Sequence, residues 1–223
     1  MRHEKLGKAL LIAGAVLFVA FAGFTYLVKT YDTAPVGFEN SEIGFSYINV
    51  RFHNVFGYNE GCFRVTEYLG YICLAVAAAN AIIALSDFIR AKGKIGRMHR
   101  RYVLTMAFYA VVVVFYVLFE IVKINYRPIE MEASYPSSHT MLGLCVMFSE
   151  IAILHYSPRK LHFWVIIFQT MCFVCMAAMV VFRLLSGVHW ITDIAGGILL
   201  SASLIFLYWG ALALYGRHHR HHS

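Results

Sequence analysis

The stretch FRLLSGVHWITD, Phe182 to Asp193, places Arg183, His189 and Asp193 between two long uncharged runs, Leu161 to Phe182 and Ile194 to Gly216. Each run is long enough to cross a bilayer, and charge is expensive beside such segments, so its presence points to use. His189 and Asp193 are four residues apart. If a helix has begun there they share a face, and the carboxylate can accept a hydrogen bond from one imidazole nitrogen. The other nitrogen is then available to attack an electrophile. A second cluster lies upstream: Lys123, Arg127-Pro128, then Pro136-Ser137-Ser138-His139 at the start of another apolar segment. Arg127 and Arg183 carry the fixed guanidinium fork that suits phosphate oxygens, although an Arg near an interface also snorkels to lipid headgroups. Ser137 and the amides of Ser138 and His139 fall at a predicted helix N-terminus. There Ser137 reads as an N-cap, as a donor to an anion, or as both. Two histidines, one carboxylate and up to three cations suit reaction at a phosphate ester on a membrane surface.

The rest of the chain must hold these groups in lipid. It is 60% hydrophobic and 14% charged, with mean hydropathy +0.66, which predicts an integral membrane protein. A formal charge of +7 would suggest nucleic acid in a soluble protein. Here the charge is concentrated between apolar runs, and no nucleic-acid partner is indicated. Of the cysteines, Cys73, Cys145, Cys172 and Cys175 lie in apolar runs and Cys62 in a loop, so no disulfide framework is expected, and Cys172-x-x-Cys175 reads as packing. Basic Met1 to Lys8 precedes an apolar run containing Ala20-Phe21-Ala22, a small-x-small pattern. The run is longer than a signal core, and it reads as an uncleaved first span.

Six spans are expected, at about 9–28, 67–87, 102–121, 137–156, 161–182 and 191–216, in an all-α polytopic bundle forming one integral membrane domain over 1–223. The first connection, 29–66, is read as an extracytoplasmic loop. Within it Ile43 to Phe56 reads as an interfacial helix, a re-entrant piece or an ordered cap on the bundle. Arg90 to Arg101 is a strongly basic connection, read as a cytoplasmic anchor. Pro128 ends or kinks whatever continues from the third span. Glu150, three turns from His139, should face the bundle or a wet cavity, with a structural role or a proton path as its two readings. Basic residues in the short turn His155 to Lys160 and in the tail from Arg217 add to those of the N-terminus and of Arg90 to Arg101, so most of the 19 Lys and Arg fall inside if both termini are cytoplasmic. Both reactive clusters then share the extracytoplasmic side.

With the motifs in place, the sequence resembles the type 2 phosphatidic acid phosphatase (PAP2) family of bacterial membrane lipid phosphatases, related to soluble acid phosphatases and haloperoxidases. That family's pattern is Lys, six residues, Arg-Pro; then Pro-Ser-Gly-His; then Ser-Arg, five residues, His, three residues, Asp. Arg183, His189 and Asp193 match the third part, with Phe182 at the Ser position. Pro136, Ser137, Ser138 and His139 match the second, with Ser138 in place of Gly, and Arg127-Pro128 ends the first. Glu120 holds the expected Lys position. Lys123 stands four residues before Arg127, a spacing that keeps a pair on one helical face and so could return a cation to the phosphate.

The resemblance implies a six-helix PAP2 core in the bacterial cytoplasmic membrane and metal-independent catalysis without a cofactor. In it His189 is the nucleophile, Asp193 its orienting carboxylate and His139 the general acid. Arg183, Arg127, Lys123, Ser137 and Ser138 then bind phosphate. Expected substrates are phosphatidic acid, phosphatidylglycerol phosphate or a polyprenyl diphosphate. A lipid phosphotransferase of the same fold, and a non-catalytic anion- or lipid-binding or transport protein, are the alternatives. Oligomeric state is not legible.

Overall fold

The structure, a computed structural model, describes residues 2–155 and 162–216. It is all-α: α1 Arg2–Thr30, α2 Ser46–Phe56, α3 Glu60–Arg90, α4 Arg100–Ile121, α5 Ser138–Leu154, α6 His162–Leu185 and α7 Ile191–Tyr215. Among the described residues five helices, α1, α3, α4, α6 and α7, are long and apolar enough to cross a membrane. This corrects the expectation of six. The fourth expected span, 137–156, is the 17-residue α5, which rises only about 26 Å against the roughly 30 Å hydrocarbon core. Pro136 stays out of the helix and Ser137 caps it, so α5 starts late, and it ends at Leu154. The expected turn residues Pro158 to Lys160 and the tail from Arg217 lie outside the described residues.

Burial assigns each helix its place. Half of the most apolar window of α7 is buried, against 11–22% for the other four spans, so α7 is the central post and the others turn most of their surface to lipid. The short α5 lies beside it, between two apolar clusters. It contributes Met141, Cys145 and Ala152 to one, with Phe21, Val112 and Leu204, and Val146 and Met147 to the other, with Cys73, Cys172 and Met179. A helix enclosed by protein in this way need not match the bilayer thickness. Helix α1 packs directly on α7, where the Ser203 hydroxyl donates to the Gly14 carbonyl at 2.9 Å. A Cβ on Gly14 would stand 2.8 Å from Leu207 Cγ, so a small residue permits the approach. Glu150 faces the interior, as expected: Asn80 donates to it, Asn80 also donates to the Tyr109 hydroxyl at 2.9 Å, and Tyr109 pairs with Ser149 at 2.7 Å. All five cysteines are free thiols.

The connection expected as a loop over 29–66 is largely helical. α2 occupies Ser46–Phe56, and α3 begins at Glu60, seven residues before the expected start, because Asn59 caps it by accepting from Cys62 N at 2.9 Å. Most of Ile43 to Phe56 is therefore helical, and α2 is tied to the start of α7. Asn49, fully buried, donates to Thr192 Oγ1 at 2.9 Å and to the Gly44 carbonyl at 2.8 Å.

Candidate active site

One end of the bundle gathers the start of α3, the start of α5, the end of α6 and the start of α7, together with the segment after α4. Three ties fix these strands of chain to one another. Ser137 N donates to the Asp193 carbonyl at 3.0 Å, Trp190 Nε1 to the Tyr126 carbonyl at 2.7 Å, and Asn59 N to the Ser186 carbonyl at 3.0 Å. The α6–α7 turn needs Gly187, whose φ of +65° is left-handed and whose Cβ position is occupied by the Gly57 carbonyl. Gly187→Ala should therefore lower the melting temperature by several degrees and disturb His189, which thermal unfolding and phosphate release would both register.

His189 and Asp193 face each other, Nδ1 to Oδ2 at 3.6 Å, with both side chains buried. Asp193 is the third residue of α7 and reaches back to accept from Trp190 N at 3.0 Å, while Asn125 Nδ2 donates to its other oxygen at 3.4 Å. These two donors fix the orientation of the Asp193 side chain at the start of α7. Arg183 is fully buried. Its Nη2 donates to His189 Nε2 at 3.0 Å and its Nη1 to Thr66 Oγ1 at 2.9 Å. A guanidinium has no acceptor, so Nε2 must carry the lone pair and Nδ1 the proton, with Asp193 Oδ2 at 3.6 Å, near but beyond hydrogen-bond distance. That is the tautomer a nucleophilic imidazole requires. Burial, then the charges of Arg183 and Arg127, hold the His189 pKa well below its usual value. The folded state thus refuses a proton that the unfolded chain accepts near pH 6.5, so the protein loses stability as the pH falls below that value. The drop in melting temperature from pH 7.5 to 5 should be smaller in His189→Gln than in the parent.

His139, in the first turn of α5, brings its Nε2 to 3.0 Å from Glu67 Oε1. The same oxygen lies 3.5 Å from Arg183 Nη1. His139 Nδ1 is buried and has no hydrogen-bond partner among the described residues. The two histidines, Asp193, Arg183 and Glu67 therefore form one connected polar cluster at one end of an apolar bundle.

No protein-family model matches the chain, and no curated protein matches it in sequence. In structure it is similar to the crystal structure of the first transmembrane PAP2 type phosphatidylglycerolphosphate phosphatase from Bacillus subtilis, with a TM-score of 0.63 at 18% identity, over 93% of this chain and 98% of that chain. The fold is PAP2-like. At this identity the likeness establishes the all-α, largely membrane-spanning architecture, and the chemistry rests on the side chains.

Within this PAP2-like frame the expected phosphate ligands are placed unequally. Ser137 is fully buried and caps α5, its Oγ accepting from Thr140 Oγ1 at 3.0 Å. Ser138 is half-buried and lines a water-sized cavity of about 10 Å³ together with Glu120. Arg127 pairs with Glu130, and with Glu132 at 3.2 Å. Lys123 is not carried on a helix shared with Arg127: α4 ends at Ile121, and the exposed Lys123 lies with its ammonium 5.7 Å from the centroid of the Tyr126 ring. Glu67, Thr66, Asn125 and Asn49 enter the site or its support without having been expected. Among the described residues no group of three or more His, Cys, Asp or Glu is arranged to hold a metal ion.

Proposed function

We propose that the chain is a phosphatase that releases phosphate from a membrane lipid phosphate or diphosphate through a phosphohistidine on His189. The observation that carries the reading is the His189 tautomer. Nε2 presents a lone pair, Nδ1–H faces a buried carboxylate, and Arg183 already touches the attacking nitrogen. A phosphoryl group entering beside Nε2 would draw Arg183 onto its oxygens, where the fork stabilises the charge that spreads over them in the transition state. Nε2 forms a bond to phosphorus as the bond to the lipid-side oxygen breaks, and His139 gives that oxygen a proton. Water then attacks phosphorus, passes a proton back to His139 and restores Nε2. The start of α5 and Ser138 face the same end of the bundle, and Arg127 adds a second guanidinium once Glu130 and Glu132 yield it.

In this reading α5 completes a six-helix PAP2 core as its protein-enclosed member. The site faces the extracytoplasmic side, since the basic connection Arg90 to Arg101 lies at the far end of α3 and α4 from Glu67. The N-terminal turns of α1 and the end of α7 meet at that far end too, where a Cβ on Gly7 would stand 2.6 Å from Leu214 Cγ.

The test is phosphate release by the detergent-solubilised protein from a panel of lipid monophosphates and diphosphates, with a chelator present and His189→Ala as control. Release by the parent alone is expected. No release from any lipid by a folded, reconstituted parent would overturn the reading in favour of a non-catalytic anion-binding protein, and phosphate appearing on an acceptor lipid instead of in solution would make it a phosphotransferase.

A further inference from the structure

Each of the two histidines in the cluster has a carboxylate beside one nitrogen, and only one of those carboxylates belongs to the pattern read from the sequence. Glu67 comes from the second turn of α3, far from His139 in the chain. It sits in an environment that would otherwise forbid a charged imidazole. His139 faces Glu67 from α3, Arg183 from α6 and His189 from the α6–α7 turn. Arg127 approaches from the segment after α4. The fixed cations Arg183 and Arg127 oppose a further positive charge at His139, yet a general acid must carry that charge before it protonates a leaving oxygen.

We infer that Glu67 is the positioning residue of the general acid: its carboxylate, 3.0 Å from His139 Nε2, holds the ring and its proton so that the buried Nδ1, which has no other partner, is the nitrogen presented to the leaving oxygen. This rests on the phosphatase reading above. Three features support it. The carboxylate is within hydrogen-bond distance of one nitrogen alone. The opposite nitrogen is buried and unengaged. A side chain on Gly70, one turn after Glu67, would stand 3.1 Å from His139 Cδ2, so α3 closes directly over the ring and leaves it little freedom to turn. Glu67 Oε1 also lies 3.5 Å from Arg183 Nη1, so the same carboxylate offsets one of the cations that would deprotonate His139. When the lipid oxygen leaves, the proton on Nδ1 passes to it and His139 becomes neutral with Nε2–H still on Glu67. When water attacks the phosphohistidine, Nδ1 takes the proton back. Atoms and charge balance across the two steps without any further reactant.

The experiment compares the parent with Glu67→Gln and Glu67→Asp on a hydrolysed lipid phosphate across pH, and on 4-nitrophenyl phosphate, whose leaving group needs little protonation. Glu67→Gln is expected to lower kcat on the lipid about tenfold to a hundredfold, and to move the alkaline limb of the kcat profile about one pH unit lower. It should lower the first-turnover burst of 4-nitrophenol, which reports phosphohistidine formation before the water step, by less than about threefold, while Glu67→Asp restores part of the lipid rate. Equal losses on both substrates, or an unmoved alkaline limb, would overturn the inference, because a merely structural defect slows both alike. If the parent hydrolyses neither substrate the phosphatase reading fails, and the pairing is then read without turnover. In ¹⁵N-histidine-labelled protein, with the His139 signal identified by its loss in His139→Asn, the His139 titration midpoint should fall about one pH unit in Glu67→Gln. The same midpoint in both proteins would overturn the pairing as well.

Discussion

His189→Ala should abolish phosphate release, lowering kcat by about 10⁴-fold or more, because in the proposed mechanism it removes the group that forms the bond to phosphorus. No other side chain of the cluster is placed to substitute. Asp193 is held by Trp190 N and Asn125, and His139 is engaged by Glu67 on one nitrogen with its other nitrogen buried. The loss should be one of chemistry and not of binding. Removing the ring frees Arg183 Nη2 from His189 Nε2, so phosphate affinity in the variant should equal or exceed that of the parent. Rapid quenching with a ³²P-labelled lipid phosphate checks both halves. The parent should carry an acid-labile, base-stable label on the polypeptide, His189→Ala none, and inorganic phosphate should protect both from thermal unfolding. A labelled His189→Ala chain, or a residual rate above about a hundredth of the parent's, would remove His189 from the nucleophile's role. Asp193→Asn should give a smaller defect, since it leaves the ring in place and loses only the charge that favours the reactive tautomer.

What could be read from the sequence was whatever sits on one turn of chain. His189 and Asp193 are joined by a single helical start, and Ser137 and His139 by another, so residue type and spacing sufficed to pair them. The all-α membrane bundle followed from the apolar runs, and the PAP2 resemblance from the motifs around His139 and His189. Contacts made across the bundle left no such trace. Glu67 was read only as the first residue of a span, because nothing in its neighbourhood shows that α3 starts seven residues earlier and sets the acid against Arg183 and His139. Asn49 and Asn125 look like ordinary loop asparagines until the start of α7 is seen to need both. Lys123 was misplaced for a local reason: its kinship with Arg127 assumed a helix through both, whereas the backbone leaves helix at Val122, with φ −91° and ψ 86°. Six spans became five because α5 is shortened by its own N-cap and shielded by its neighbours, and hydropathy alone does not distinguish a helix buried in protein from one bathed in lipid.

Arg183→Met should remove activity and stability together, and the two losses should separate in a double mutant. The guanidinium is fully buried and holds three groups from two other parts of the chain: Thr66 Oγ1 at 2.9 Å, Glu67 Oε1 at 3.5 Å and His189 Nε2 at 3.0 Å. Taking it away leaves the Glu67 carboxylate, with 32% of its side chain exposed, without its cation, a change that solvent holds to about 1–3 kcal/mol. Arg183→Lys should fare little better, because one ammonium on a flexible stem cannot span all three partners in the geometry of the fork. On activity the expected loss is about 10³-fold or greater, the scale seen when an arginine that stabilises a transferring phosphoryl group is withdrawn. Adding Glu67→Gln to Arg183→Met removes the stranded charge. The double mutant should recover a good part of the lost melting temperature while recovering none of the phosphate release. Thermal unfolding of the four proteins in one detergent, beside their release rates, decides the matter. If Arg183→Met melted with the parent, or if the double mutant melted no higher than Arg183→Met, the Arg183–Glu67 pair would not be what holds this end of the bundle together. If the double mutant regained turnover, the role of Arg183 would be to neutralise Glu67, and not to grip the phosphoryl oxygens.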